Sequence, residues 1–218
     1  MIAVIKGDII SSRTIADQRV WLKPLQELLL QWGESPNTWE LAWGDMFQVE
    51  IEDAQYALLK AFQIKALIKG IQVSDERGQK RNLDVRLSIG IGEKTYSGSR
   101  VSESNGPAFV YTGEQFDTLE EEHVNMAVKS PWRLFNREMN LFLKFAGKIM
   151  DSWSVSSAEI AHLILENPDL TQTEISAKLG IAQSSVSARW KRSSLQEILE
   201  LEDLYRYKLK QRLNDYSG

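Results

Sequence analysis

Leu83, Val85, Leu87, Ile89 and Ile91 are apolar, and the residues between them, Asp84, Arg86, Ser88 and Gly90, are polar or small. Only an extended chain sends alternate side chains to opposite faces, so this spacing predicts a β-strand with one face against a core. One strand has no stability of its own, and the rest of the chain must supply partners and a covering layer.

The flanking sequence supplies both. Met1 to Ile9 is an apolar, β-branched run, and Trp39 to Trp43 and Met46 to Ile51 are strand-like runs around Gly44-Asp45, a dipeptide suited to a tight hairpin. Val20 to Trp32 carries Leu25, Leu28, Leu29 and Trp32 at helical spacing, where Pro24 must kink or start the helix. Asp53 reads as the N-cap of a long helix with Ala54, Ala57, Leu58, Ala61 and Ile68 on its apolar face. Lys94 to Gly106 is Ser- and Gly-rich and reads as a loop, Pro107 to Glu121 as a helix and Asn125 to Val128 as a short last strand. Ser130-Pro131 then offers an N-cap and a first-turn proline for a helix reaching Met150. The order β-α-β-β-α-β-α-β describes an antiparallel-containing sheet with helices on one face. That is a palm-type or ferredoxin-like α+β domain over residues 1–150, whose last helix links it to the carboxy-terminal part of the chain.

After a polar break at Asp151 to Ser157, residues 151–218 read as an all-α domain. Within it, Ile175 and Leu179 share one face of a first helix and Val186 and Trp190 one face of a second, with Ile181 between. Gly180 follows the first helix where the chain must turn sharply in a left-handed conformation. The spacing predicts a helix-turn-helix whose second helix presents Gln183, Ser184, Ser185, Ser187, Ala188 and Lys191 outward. Read as a module for double-stranded DNA, it sets Gln183, Ser184, Ser187 and Lys191 toward bases and Thr171, Thr173, Arg189 and Arg192 toward phosphates. The plainer reading is a helical hairpin that packs on the rest of the chain or binds a partner protein. Ser194 to Leu213 continues as a helix with Leu195, Ile198, Leu199, Glu202, Leu204 and Tyr205 near one another, a stripe for dimerisation or for packing on its own domain.

Charge narrows the functional classes. A net charge of −4 excludes a protein that coats nucleic acid nonspecifically. Residues 171 to 193 nevertheless carry Lys178, Arg189, Lys191 and Arg192 against one acid, Glu174. DNA affinity from such a segment falls steeply with salt and calls for two copies, hence a homodimer. The absence of cysteine removes disulfide frameworks and thiolate metal sites. Met1 to Ile5 is too short for a signal peptide and no apolar stretch reaches membrane-spanning length, so the expectation is a cytoplasmic protein with no membrane partner.

Two Gly-Asp dipeptides carry the other chemistry. Gly7-Asp8 ends the first strand and Gly44-Asp45 sits in the hairpin; in a palm-type sheet these are neighbours. Asp8 and Asp45, with Ile9 beside the first, are candidate ligands for a Mg²⁺ or Mn²⁺ ion that also holds the phosphates of a nucleotide. Equally, they are a strand-end cap and a turn residue. Gly90-Ile91-Gly92 lacks the third glycine of a dinucleotide fingerprint and reads as a strand-end turn. His123 and His162 have no companions at metal-ligand spacing and read as structural or solvated.

The runs Gly7-Asp8-Ile9-Ile10-Ser11-Ser12, Trp43-Gly44-Asp45-Met46-Phe47, Val85 to Glu93 and Gly106-Pro107-Ala108 resemble, in order, the motifs of class III nucleotide cyclases. That resemblance implies a cyclase-like fold for the first domain but not cyclase activity. The positions where it implies an Asn, an Arg and a base-recognising Lys hold Val110, Glu114 and Leu41, which cannot steady the developing negative charge. The chain as a whole resembles the SatD family, through Val4 to Arg13, Gly106-Pro107-Ala108-Phe109 and the carboxy-terminal helical module. This resemblance implies an architecture and no reaction. The sequence thus leads to a DNA-binding regulator with a sensor or dimerisation domain, and second to a divalent-metal-dependent enzyme acting on nucleotides at Asp8 and Asp45.

Overall fold

The computed structural model describes residues 1–12, 15, 17–42, 44–74, 78 and 80–217. Arg13 of the SatD-like run and Trp43 of the cyclase-like run lie outside the described residues. The strands are β1 (Ile2–Ile10), β2 (Trp39–Ala42), β3 (Met46–Ile51), β4 (Gln72–Ser74), β5 (Lys80–Asn82), β6 (Asp84–Gly92) and β7 (Met126–Lys129). The helices are α1 (Arg19–Leu30), α2 (Ala57–Lys69), α3 (Pro107–Thr118), α4 (Arg133–Asp151), α5 (Val155–Glu166), α6 (Gln172–Leu179), α7 (Gln183–Ser193) and α8 (Leu195–Ser217). The fold is α+β. Five strands form a mixed sheet in the order β2-β3-β1-β6-β7, antiparallel except for β6 with β7, while β4 and β5 pair as a separate two-stranded sheet.

The alternating run is the middle of this sheet. Val85, Leu87, Ile89 and Ile91 of β6 are fully buried in the main core with Ala3, Ile5 and Ile9 of β1, on the side where α2 packs. The expectation of helices on one face fails for α3, which lies on the opposite side. There Ser88 donates its hydroxyl to the Thr112 carbonyl at 2.9 Å. A Cβ added at Gly90 would sit 2.1 Å from the Ala108 carbonyl oxygen, so this glycine lets the α3 backbone rest directly on the strand. Gly90-Ile91-Gly92 is therefore in-strand sequence shaped by a helix above it, and not a strand-end turn.

Asp53 caps a short lead-in turn, Ala54–Tyr56, accepting from the Gln55 amide at 3.0 Å, and α2 proper starts after it. α2 is buried beyond the single face its sequence suggested: Phe62, Gln63, Ile64, Lys65, Ala66 and Lys69 are buried as well. The reason is a second layer, since α5 packs on α2, and the Gln63 amide donates to the Leu165 carbonyl at 2.8 Å. Lys65, 1% exposed, pairs with Asp84 of β6 and with Asp151 at the end of α4. Lys69 donates to the Asp151 carbonyl at 2.7 Å and Asn125 to its carboxylate at 3.0 Å. This polar cluster ties α2, β6, α4 and the segment before β7 together.

α4 closes the β7 edge. Asn140 donates to the Val128 carbonyl at 2.9 Å and accepts from the Val128 amide at 2.8 Å, imitating a neighbouring strand and leaving that position no partner to recruit. The remaining helices share the same apolar cluster: Ile160 and Ile164 of α5, Ile175, Val186, and Leu195, Ile198, Tyr205 and Leu209 of α8 all belong to it. Tyr205 donates to the Ala54 carbonyl at 2.8 Å, and Trp153 to the Ser193 carbonyl at 2.8 Å. The stripe of α8 is thus spent on packing within its own chain, against α4 and the Ala54–Tyr56 turn. Among the described residues no helix is long and apolar enough to cross a membrane.

Candidate nucleic-acid interface and the aspartate pair

α6, the Gly180 turn and α7 owe their arrangement to a few contacts. Gly180 takes φ +63°, ψ +32°, the left-handed conformation that a residue with a Cβ adopts at a cost. Ile175 and Val186 are fully buried, and Leu179, Ile181 and Trp190 pack partly buried around them. The Ser176 hydroxyl donates to the Ile181 carbonyl across the turn. Thr171 and Glu174 form a reciprocal cap: the Glu174 amide donates to the Thr171 hydroxyl at 3.3 Å, and the Thr171 amide donates to the Glu174 carboxylate at 2.8 Å. The Thr171 hydroxyl also donates to that carboxylate, at 2.7 Å, and the hydroxyl and amide bonds together hold the Glu174 carboxyl below its ordinary pKa. The Thr-x-x-Glu spacing that announces such a cap stands in the sequence at 171–174, so the role of Thr171 in starting α6 was readable there.

Thr171 is exposed with its hydroxyl engaged in this cap, and the other residues expected to touch DNA divide into three groups. Ser184, Ser185, Lys191 and Arg192 are exposed, as is Ala188, and Lys191 and Arg192 carry no ion pair among the described residues. Gln183 and Thr173 are also exposed, but the Gln183 amide donates to the Thr173 hydroxyl at 2.6 Å, so the two helices present them as a linked pair. Ser187 and Arg189 are half-buried. Arg189 pairs with Glu159 of α5 at 3.1 Å, because the side of α7 that carries Val186 faces α5; here its guanidinium braces the module instead of reaching outward. Ala182, at the N-cap of α7, supplies no side-chain cap to the first amides of that helix. Sequence reading passed over that feature, although an alanine at the N-cap position is visible.

Asp8 and Asp45 are brought to one end of the sheet, where the Ile9 amide donates to the Asp45 carbonyl at 3.2 Å. Each carboxylate is already engaged. Asp8 pairs with Arg86 at 2.7 Å, directly across the β1–β6 ladder, and the same guanidinium reaches Glu120 at 2.9 Å. The Asp8 hydrogen bond raises the Arg86 pKa above its ordinary value. Asp45 accepts from the Ser12 hydroxyl at 2.6 Å. Among the described residues no group of three or more His, Cys, Asp or Glu side chains is placed to hold a metal ion. A guanidinium against Asp8 offsets part of the charge that a divalent ion would draw on. Arg86 could have been suspected from sequence, since it lies on the polar face of the alternating strand.

The positions that depart from the cyclase pattern have other employment. Leu41 packs partly buried on the core, Val110 is exposed, and Glu114 pairs with Lys129 at 2.7 Å. His162 is largely buried on α5, 3.5 Å from Glu166, and burial lowers its pKa; His123 stands in the turn after α3 with φ +52°.

No curated protein sequence matches the chain. A family model described as the SatD family matches residues 1–203 of the 218. With that match spanning the sheet, α3 with its Gly-Pro-Ala start and the α6–α7 pair alike, the chain belongs to the SatD family.

Proposed function

We propose that this chain is a sequence-specific DNA-binding protein, a transcriptional regulator in which α6, the Gly180 turn and α7 act as a helix-turn-helix. The sheet-bearing part is read as a palm-type, ferredoxin-like domain that senses or dimerises; the strand order β2-β3-β1-β6 supports that reading. One observation carries the proposal. α7 is two-sided, with Val186 and Ser193 buried and Gln183, Ser184, Ser185, Ala188, Lys191 and Arg192 all exposed. The outer surface of α7 carries small hydroxyl, amide and basic groups, the kinds that base edges and phosphates take. Lys191 and Arg192 would meet phosphates, Ser184 and Ala188 would approach base edges, and the Gln183–Thr173 pair would bridge the two helices at the groove. The reading as a metal-dependent nucleotide enzyme draws no support from Asp8, whose carboxylate is held by Arg86.

The test is selection from a randomised duplex library, followed by fluorescence anisotropy on the enriched sequence. Ser184→Glu and Ala188→Glu, both at exposed positions, are expected to reduce affinity to the level of unrelated DNA with unchanged melting temperature. Lys191→Ala with Arg192→Ala should weaken every sequence alike and lower the salt dependence by about two counterions. Failure to enrich any sequence, or wild-type affinity in Ser184→Glu, rejects the proposal.

A further inference from the structure

α4 is apolar on two sides, and only one of them is filled. Phe135, Met139, Leu143, Ala146 and Met150 are buried in the core. A separate line of side chains faces solvent: Leu134, Leu141 and Phe145 are 55%, 54% and 61% exposed, with Phe142 beside them at 37%. Leu134, Leu141 and Phe145 follow one another at spacings of seven and four residues, which stack on a helix surface. Scattered exposed leucines are ordinary, but four large apolar side chains exposed along one helix are not.

We propose that this stripe is the contact surface of a homodimer, in which a second copy of the chain lays its own α4 against it. Area is the first argument. At these exposures the four side chains leave about 400 Å² of apolar surface bare, and two such faces together supply about 800 Å². That is the apolar share of an interface of about 1,300 Å², inside the range of stable specific contacts. Charge is the second argument. Glu138, the acid within the stripe, is already paired with Lys208 at 2.7 Å, so closing two copies together buries no unpartnered carboxylate. Arg137, Lys144 and Lys148 fall on one flank by their spacing, and Lys144 is paired with Glu122 at 3.2 Å. A parallel pair sets this basic flank against the unlike flank of the partner, whereas an antiparallel pair would set like charges face to face. The parallel arrangement follows, about a two-fold axis running along the helices, and each stripe residue meets its own counterpart. The DNA-binding reading calls for two copies, but this interface stands on area and charge alone.

Sedimentation velocity at tens of micromolar protein should show a dimer for the full chain and a monomer for Leu141→Lys and Phe145→Lys, each with an unchanged melting temperature. The chain has no cysteine, so single-cysteine variants report geometry cleanly. Leu134→Cys and Phe145→Cys should both join to covalent dimers with a short bis-maleimide. Leu30→Cys, 58% exposed on α1, should not. A monomeric wild type, dimers that survive both lysine substitutions, or equal cross-linking through Leu30→Cys overturns the proposal. A dimer broken by Phe145→Lys in a protein that enriches no DNA sequence leaves this interface intact and removes the DNA reading. A monomeric wild type that binds its selected duplex does the reverse.

Discussion

Lys65→Met removes one positive charge from between two carboxylates while keeping the length and the apolar stem of the side chain. The ammonium is 1% exposed and is held by Asp84 and Asp151, whose side chains are 19% and 36% exposed. Breaking a fully buried pair costs about 3–5 kcal/mol, because the surviving charge keeps its desolvation penalty and loses its partner. Two features pull the figure down. Water reaches part of both carboxylates, and Lys69, 3.5 Å from Asp84, retains some of the neutralisation. The expected loss is therefore about 3 kcal/mol, the low end of that range. For a chain of this length it lowers the melting temperature by about 6–12 °C. Urea unfolding followed by tryptophan fluorescence measures it, with an unchanged denaturant slope showing that the same surface unfolds. Adding Asp84→Asn and Asp151→Asn to Lys65→Met should recover part of the loss, since the carboxylates that Lys65 leaves unpaired are then neutral, while Lys69 loses the Asp84 charge but keeps the Asp151 carbonyl. A single-variant loss below about 1 kcal/mol, or no recovery in the triple variant, refutes the assignment of this cluster as an ionic brace.

Three further outcomes follow from packing and protonation. Gly90→Ala should destabilise by about 3 kcal/mol, because its Cβ meets the Ala108 carbonyl, whereas Gly113→Ala, with nothing within 4 Å inside α3, should stabilise by up to about 1 kcal/mol; similar urea midpoints for the two variants would contradict the packing. Burial holds the His162 imidazole below its ordinary pKa of 6.5, so the fold prefers the neutral ring. Its contribution is complete above pH 6.5 and is lost as pH falls through the lower folded-state pKa; His162→Gln should flatten that part of the urea midpoint against pH, and an unchanged slope would assign the loss to other groups. Thr171→Ala removes the cap of α6 and should speed amide exchange in that helix about fivefold, the equivalent of about 1 kcal/mol, with α2 unaffected.

The parts of this fold that repeat on a short period were legible in the sequence. The β6 alternation, the hairpin around Gly44-Asp45 and the Ile175-Leu179, Val186-Trp190 spacing each report one element against one neighbour, and each stands where its period put it. What a second neighbour adds was not legible. α2 looked one-sided because nothing in its own residues announces that α5 covers its outer face, and Lys65 and Lys69, read alone, are ordinary surface residues until Asp84 and Asp151 arrive from distant positions. Pairings across the sheet and between helices are equally silent: Asp8 with Arg86, and Arg189 with Glu159, depend on register and packing that no local period encodes. The β4–β5 pair, short, polar and exposed at Lys80 to Asn82, carries too little apolar pattern to be seen.

α2 stands between the sheet and α5 as a common wall, and this shapes what genetics would find under the DNA-binding reading. The wall, the sheet and the α5–α7 layer share one apolar cluster, so weakening the β1 or β6 core is expected to loosen α7 as well. A screen for lost repression or activation would collect substitutions in the sheet interior alongside those on the outer face of α7. Heat-sensitive alleles among them would turn the output off at the restrictive temperature with every DNA-facing residue intact.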